Sequence, residues 1–447
     1  MRREDALGPR IVHLTQEAAC SGAGRAALRI HLALKERGAR SSLIVASRCG
    51  VLERLGEGET AWRRPIERIR LRGVSWLEAR LGRIVRASGA GLFSLGLRGG
   101  YGAAADPRVR CADVVILYWV AGGFLSPEEM ARIGRPLIWR LSDAWPFTGG
   151  CHYPGPCDRY RMACGTCPQL RVRGGWDPSR WVWRRKARGY RDLALTVVAP
   201  SRWIAGKARE SALLGGFRLE VIPTGVDVKA FAPVSRQERE GLRRRLGVTE
   251  GAFVVAFVAG ELGDPRKGLA HFLAGVERFA REWDAAALEV LLVGRGGERV
   301  AGLLRRSPFP VRVLGWVGRE SELAAAYAIA DLVVVPSEED NLPNVILEAM
   351  SCGVPVAAAG TGGAREVVHD GRNGFLMSRA DAHAVAQAIG RAYVARDGLA
   401  AMGHEARALV AESFDADALA GRWMRLCEEV ASLSQGHGRA EEETAPA

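Results

Sequence analysis

No apolar stretch in the 447 residues approaches the ~18 consecutive apolar residues that a membrane-spanning helix requires. A membrane span is therefore excluded. The opening segment MRREDALGPRIVHLT passes from charge into only a short apolar segment, not the longer apolar region of a secretory signal. The expected location is the cytoplasm, with peripheral contact at the inner membrane face as an extension of it. Internal short-period repeats are also absent, which argues against a stacked-repeat architecture. Acidic residues are in deficit, 50 against 63 Lys and Arg, for a net charge of +13. Such an excess suits anionic partners: nucleic acid, phosphorylated metabolites or an anionic membrane. No nucleic-acid module is recognisable and the arginines are diluted by apolar residues, so nucleic acid is not an expected partner. Metal-binding acidic pairs are scarce as well. One Asp-x-Asp occurs, Asp415 and Asp417 in FDADAL, and capping of the following helix explains it better.

What is present points to an ordinary globular protein, 48% apolar and 25% charged. Its length calls for two domains. Apolar runs alternate with helical patterns in two series. The first comprises RIVHLT, SSLIVAS, ADVVILYW, RPLIWRLSD and LTVVAPS; the second comprises FVVAFVAG, LEVLLVG, VRVLG, DLVVVPS and VPVAAAG. Runs buried on both faces and separated by helices indicate parallel sheets, hence an α/β protein with two doubly wound domains. Pro223 and Gly225 break the pattern in VIPTGVDVKAFAP, which sets the join. The expected domains are 1–223, carrying a cysteine loop at 149–170, and 224–434, with the last helix free to pack back on the first domain. The polar residues 435–447 are expected to be a disordered tail.

Ligands of open α/β sheets sit beyond the carboxyl ends of the strands. After the first strand comes SGAGR, whose glycines Gly22 and Gly24 flank Ala23 and open a helix that can meet a phosphate. After FVVAFVAG, the adjacent cations Arg266 and Lys267 suit a diphosphate, although a solvated basic turn reads the same way. After DLVVVPS come Asp340 and Glu348, carboxylates able to accept from sugar or ribose hydroxyls or to favour a helix N-terminus. TGGARE adds Gly362, Gly363 and Glu366 to the same edge.

Eight arginines lie between Arg63 and Arg86, with Trp62, Ile66, Ile69, Trp76, Leu77, Leu81, Ile84 and Val85 beside or among them. A helix lying on a membrane and a solvated amphipathic helix both fit this pattern. For RWVWRRKARGYR, Arg180 to Arg191, the expectation is a solvated basic face. Nine cysteines are present. Cys20, Cys49, Cys111, Cys352 and Cys427 are scattered and read as small buried hydrophobes. Cys151, Cys157, Cys164 and Cys167 fall in GGCHYPGPCDRYRMACGTCPQL. A tetrahedral structural zinc, with His152 as an alternative ligand, is one expectation; labile disulfides or packed thiols are the others. Each makes the loop a structural lobe.

DPRKGL, VVVPSEEDNLPNVILEAMSCGVPV, GTGGAREVV and DGRNGFLM, in that order, resemble the family 4 glycosyltransferases. SGAGRAA, PSRWIAGKA and VIPTGVDVKAFAP extend the resemblance over most of the chain. The cysteine loop resembles a subgroup associated with cell-surface polysaccharide assembly. The resemblance implies the GT-B fold, two Rossmann-like domains facing a cleft. It also implies sugar transfer, with retention, from a nucleotide-diphosphate sugar to a glycan or lipid-linked glycan acceptor. By position, Glu348 meets the donor ribose, Asp340 the donor sugar and Lys267 the diphosphate. Gly22, Ala23 and Gly24 also meet the diphosphate, and Gly362, Gly363 and Glu366 flank the pocket. Asp340 replaces the family's usual Glu, Glu261 stands where many members have an arginine, Thr224 replaces a frequent Asn, and Ser142 replaces a frequent His before Asp143. Asp143 is the remaining acid/base candidate of the first domain. No cofactor is required for catalysis on this reading. The alternative from another class is a non-catalytic nucleotide-sugar-binding regulator.

Overall fold

Val114–Leu117 and Leu332–Val335 are apolar and buried at every position. A strand hidden on both faces needs cover on two sides, and helical crossovers between parallel strands supply it. In the computed structural model every described strand pairing is parallel. The structure describes residues 8–442 apart from 18–20, 48–51, 54–55, 88–90, 173, 284–286, 298–299, 301–306 and 308, and of 434–442 the backbone alone. Cys20, Cys49 and residues 443–447 lie outside the described residues.

The first sheet contains β1 (Arg10–Glu17), β2 (Arg40–Ser47), β3 (Glu59–Thr60), β4 (Val114–Leu117), β5 (Leu137–Arg140), β6 (Leu195–Ala199) and β7 (Arg218–Val221), in the order β3-β2-β1-β4-β5-β6-β7. The second contains β8 (Phe253–Glu261), β9 (Leu288–Arg295), β10 (Val311–Gly315), β11 (Leu332–Val335), β12 (Val356–Ala359) and β13 (Gly374–Met377), in the order β10-β9-β8-β11-β12-β13. Strand order reverses between β1 and β4 in one sheet and between β8 and β11 in the other. These are the switch points where such sheets hold ligands.

The helices used below are α1 (Gly22–Glu36), α2 (Pro65–Val85), α3 (Pro178–Gly189), α4 (Leu269–Glu282), α5 (Glu320–Ala328), α6 (Asn344–Ser351) and α7 (Ala416–Glu442). The chain divides into a unit of Met1–Pro223 with Asp417–Ala447, and a unit of Thr224–Ala416. Residues from 417 onward thus belong with the first unit rather than the second. The reason is apolar: Leu419, Trp423, Leu426, Cys427 and Val430 of α7 pack into one buried cluster with Ile11, Val114 and Ile116. Residues 435–442, expected to be disordered, continue α7 as helix. Asp417 lies in the first turn of α7 and pairs with Arg37 at 3.6 Å.

Candidate functional site

The loop after β8 is built around a short turn, Pro265–Lys267, which Asp264 caps by accepting from the Arg266 amide at 3.1 Å. Gly268 then takes φ 76°, and any side chain there would run into the Pro336 carbonyl oxygen. Only glycine lets the turn lie this close to the loop after β11. The two loops are tied further: the Glu338 amide donates to the Arg266 carbonyl at 2.9 Å, and Arg266 Nη1 donates to the Glu339 carbonyl at 3.3 Å. This closeness brings Lys267 Nζ into an ion pair with Asp340 Oδ2. Arg266 is held by Asp264 at 2.6 Å.

Asp340 is thus the counter-charge of the expected phosphate-binding lysine. Burial alone would push its carboxyl up. The charges of Lys267 and Arg266, with hydrogen bonds from Lys267 and the Asn341 amide, outweigh burial and hold it below the usual carboxylate range. The loop after β12 joins the same edge. Gly362 has φ 58°, and a side chain on it would occupy the Asp340 carbonyl oxygen. The Gly363 amide donates to the Asn341 carbonyl at 2.5 Å and the Thr361 hydroxyl to the Ser337 carbonyl at 2.8 Å. Gly362 to Glu366 form one short turn, with Glu366 half-buried. Arg266, Lys267, Asp340, Gly362 and Gly363 are therefore brought together at the carboxyl edge of the second sheet.

Glu348 lies deeper. It falls in the second turn of α6, 1% exposed, and its Oε2 accepts from the Tyr327 hydroxyl of α5 at 3.0 Å. Sequence reasoning had not marked Tyr327; its aromatic ring between alanines gives no signal of a hydroxyl aimed at another helix. Glu261, the expected repulsive carboxylate, ends β8 beside the end of β9 and pairs with Arg295. Its charge is offset by a cation on the neighbouring strand, which also stacks over Trp316 at 4.3 Å.

In the first unit, Ser21 caps α1 by accepting from the Gly24 amide at 3.1 Å. Gly22, Ala23 and Gly24 form its first turn, so their amides stand at the positive end of a helix dipole. Asp143 does not stand as a free acid/base. It is buried, with Oδ1 accepting from the Trp145 amide at 2.9 Å and Oδ2 from Trp119 Nε1 at 2.8 Å and His152 Nδ1 at 2.6 Å. Burial works against its charge, but His152 and these donors hold its pKa below the usual range. Ser94 Oγ lies 2.9 Å from His152 Nε2, completing a sealed chain of polar groups. The geometry makes Asp143 an anchor of the segment after β5. Ser142 Oγ accepts from Arg140 Nη1 at 3.1 Å.

Cys151, Cys157, Cys164 and Cys167 all line one cavity, together with Phe93, Thr148 and Tyr160. All four are free thiols. Burial pushes the Cys164 thiol up to about 11. Among the described residues no three candidate ligands stand together as a metal set. The α3 helix that braces this lobe keeps a solvated basic face at Arg184 and Arg188, but two of its cations, Arg185 and Lys186, are buried. Arg185 grips Glu128 through Nε at 2.7 Å and Nη2 at 2.6 Å. Lys186 donates to the Trp145 and Thr148 carbonyls, with Nζ 3.7 Å from the centre of the Trp145 ring. Burial pushes its ammonium down to about 7 despite the nearby Cys164, Cys151 and Asp143.

The family described as Glycosyl transferases group 1 matches residues 253–395, which span the strand edge just described. D-inositol 3-phosphate glycosyltransferase of Geodermatophilus obscurus is 34% identical over 346 residues, 71% of this chain and 67% of the relative. The enzyme of that name from Salinispora tropica is 32% identical over 289 residues, 61% of this chain and 55% of the relative. Among solved structures, Anabaena Alr3699/HepE in complex with UDP-glucose has a TM-score of 0.65 at 20% identity, over 95% of this chain and 99% of that one. WaaG, a glycosyltransferase involved in lipopolysaccharide biosynthesis, has a TM-score of 0.61 at 14% identity, over 93% and 99%. At these identities the two structures bear on the fold, which is GT-B. The chain belongs to the group 1 glycosyltransferase family.

Proposed function

We propose that the chain moves a sugar from a nucleotide-diphosphate sugar to an acceptor hydroxyl with retention of configuration, in the assembly of an exopolysaccharide or lipopolysaccharide. The observation that carries this reading is the Lys267–Asp340 pair set among the loops after β8, β11 and β12. As the acceptor oxygen bonds to the anomeric carbon and the bond from that carbon to the diphosphate oxygen breaks, negative charge develops on the leaving diphosphate, which takes the acceptor hydroxyl's proton. Preorganised cations stabilise such charge without reorganisation, and Lys267 and Arg266 are the cations at hand. Asp340 holds the lysine in place before the donor arrives. Once phosphate takes over the ammonium, the carboxylate turns to the sugar hydroxyls. Glu348, steadied by Tyr327, accepts from the ribose. HepE, described with UDP and UDP-glucose, supports a nucleotide-sugar donor. The inositol-phosphate relatives support a hydroxylated acceptor.

The test is release of nucleotide from a panel of UDP-, GDP-, TDP- and ADP-sugars in the presence of glycan and lipid-linked acceptors. Release from one donor, lost in Lys267→Ala and Glu348→Ala, is expected, and proton NMR of the new anomeric centre should show the donor's configuration. Failure to bind any donor would overturn the reading. Tight donor binding with no turnover on any acceptor would favour the non-catalytic regulator instead.

A further inference from the structure

Helix α2 is docked by one face only. Leu71, Glu78 and Gly82 are its buried residues. Glu78 fixes the docking: its carboxylate accepts from the amides of Leu95, of Gly96 at 3.0 Å and of Leu97 at 2.9 Å. Gly82 allows the close approach, because a side chain there would strike the Phe93 carbonyl oxygen. On the opposite face Ile66, Ile69, Trp76, Leu77 and Ile84 recur at helical spacing, each between 41% and 67% exposed. Residues 169–171 run beside the C-terminal end of the helix, the Arg171 amide donating to the Val85 carbonyl at 2.9 Å. Val172, 74% exposed, follows them next to that end.

The charge along this face has one sign. Both acidic residues of the helix are turned to structural work: Glu78 is buried, and Glu67 accepts from the amides of Arg63 at 2.7 Å and Arg64 at 3.2 Å to cap the helix start. Arg68, Arg70, Arg72, Arg80 and Arg83 remain exposed along its length. An apolar stripe flanked by arginines, on a helix already docked by its other side, matches a bilayer surface. Side chains enter the acyl boundary while guanidinium groups meet anionic headgroups.

We infer that this face of α2 seats the protein on an anionic lipid surface. The inference is independent of the donor chemistry proposed above. It is tested by co-sedimentation of the full chain with vesicles of phosphatidylcholine alone and of phosphatidylcholine with phosphatidylglycerol. Binding is expected only to the anionic vesicles and should weaken as salt rises. Arg72→Ala and Arg83→Ala should each weaken it by about fivefold. Ile69→Glu with Trp76→Glu should abolish it while leaving the melting temperature and nucleotide-sugar binding unchanged, since both side chains lie on the surface. Wild-type protein remaining in the supernatant with anionic vesicles would overturn the inference, as would equal binding by the double variant. Self-association in sedimentation velocity that the double variant abolishes, without vesicle binding, would overturn it too and make the face a contact between copies.

Discussion

In the first unit the carboxylates Asp143 and Glu78 are sealed beneath backbone amides, Trp119 and His152. In the second, Asp340 stands at a strand edge and answers a lysine. The same strand order thus serves two electrostatic designs. Apolar surface divides as unevenly. Of the thirteen large apolar side chains exposed among the described residues, only Trp283 and Val394 belong to the second unit. The first unit therefore seals these two acids and carries most of the large apolar side chains that reach the surface. The second keeps its paired charges where a phosphate can compete for them. Doubly wound topology fixes where a ligand can sit; the side chains decide whether that place offers charge, apolar contact or neither.

The contrast breaks most sharply at Lys267. Replacing it by Ala should lower the rate of nucleotide release by about a hundredfold to a thousandfold, the usual effect of losing one preorganised donor to a developing anion. Steady-state kinetics against the chosen donor would read this, with little change in melting temperature. A loss below tenfold would return the site to a solvated basic turn.

Lys186→Ala should act on the other unit. It leaves the Trp145 and Thr148 carbonyls of the cysteine lobe without their buried donor. A loss of about 2–4 kcal/mol is expected, read by denaturant unfolding followed by tryptophan fluorescence, which the first unit dominates. Acid should also separate the units. His13 lies within hydrogen-bonding distance of Tyr118 and Ser41, and His31 of Ser41 and Glu57. Burial is the leading cause that lowers both histidines below their ordinary value of 6.5; His31 adds to it for His13, and Glu57 only partly offsets it for His31. As pH falls through that value the unfolded chain takes up protons that the folded chain refuses. Stability should therefore be full above about pH 7.5 and fall below pH 6.5, by at most about 1.4 kcal/mol per pH unit for each histidine, until pH reaches that histidine's lowered folded-state value. His31→Gln should flatten the profile between pH 7 and 5. The smallest effect belongs to Glu261→Gln. Its pair with Arg295 is largely exposed, so less than about 1 kcal/mol of stability is at stake. Donor affinity should stay within about twofold, because the carboxylate answers Arg295 rather than the phosphate loop.

The ten apolar runs read from the sequence all became strands, because a run buried on both faces has few other places to go. β3, β7 and β13 escaped for physical reasons. β3 is two residues long, β7 reads Arg-Leu-Glu-Val with no apolar continuity, and β13 hides in Gly-Phe-Leu-Met after a turn. The loop residues Arg266, Lys267, Asp340, Gly362 and Gly363 were legible because topology alone puts the ends of parallel strands on one edge. Burial was not legible. Glu348 looked like a helix-start carboxylate until Tyr327 of another helix enclosed it. Asp143 looked like a free acid until His152, nine residues on, and Trp119, from another strand end, closed over it. Lys186 looked solvated because the carbonyls that hold it lie in a loop about forty residues away. Each depends on partners distant in sequence, which local pattern does not encode.

Calorimetric titration of the preferred nucleotide sugar into wild type, Lys267→Ala and Ile69→Glu tests the division of labour most directly. The account predicts that Lys267→Ala weakens binding by at least about tenfold, as loss of a charged hydrogen bond should, while Ile69→Glu leaves it unchanged. Equal affinity in wild type and Lys267→Ala would contradict the account, because the strand edge of the second unit would then not be where the donor is held.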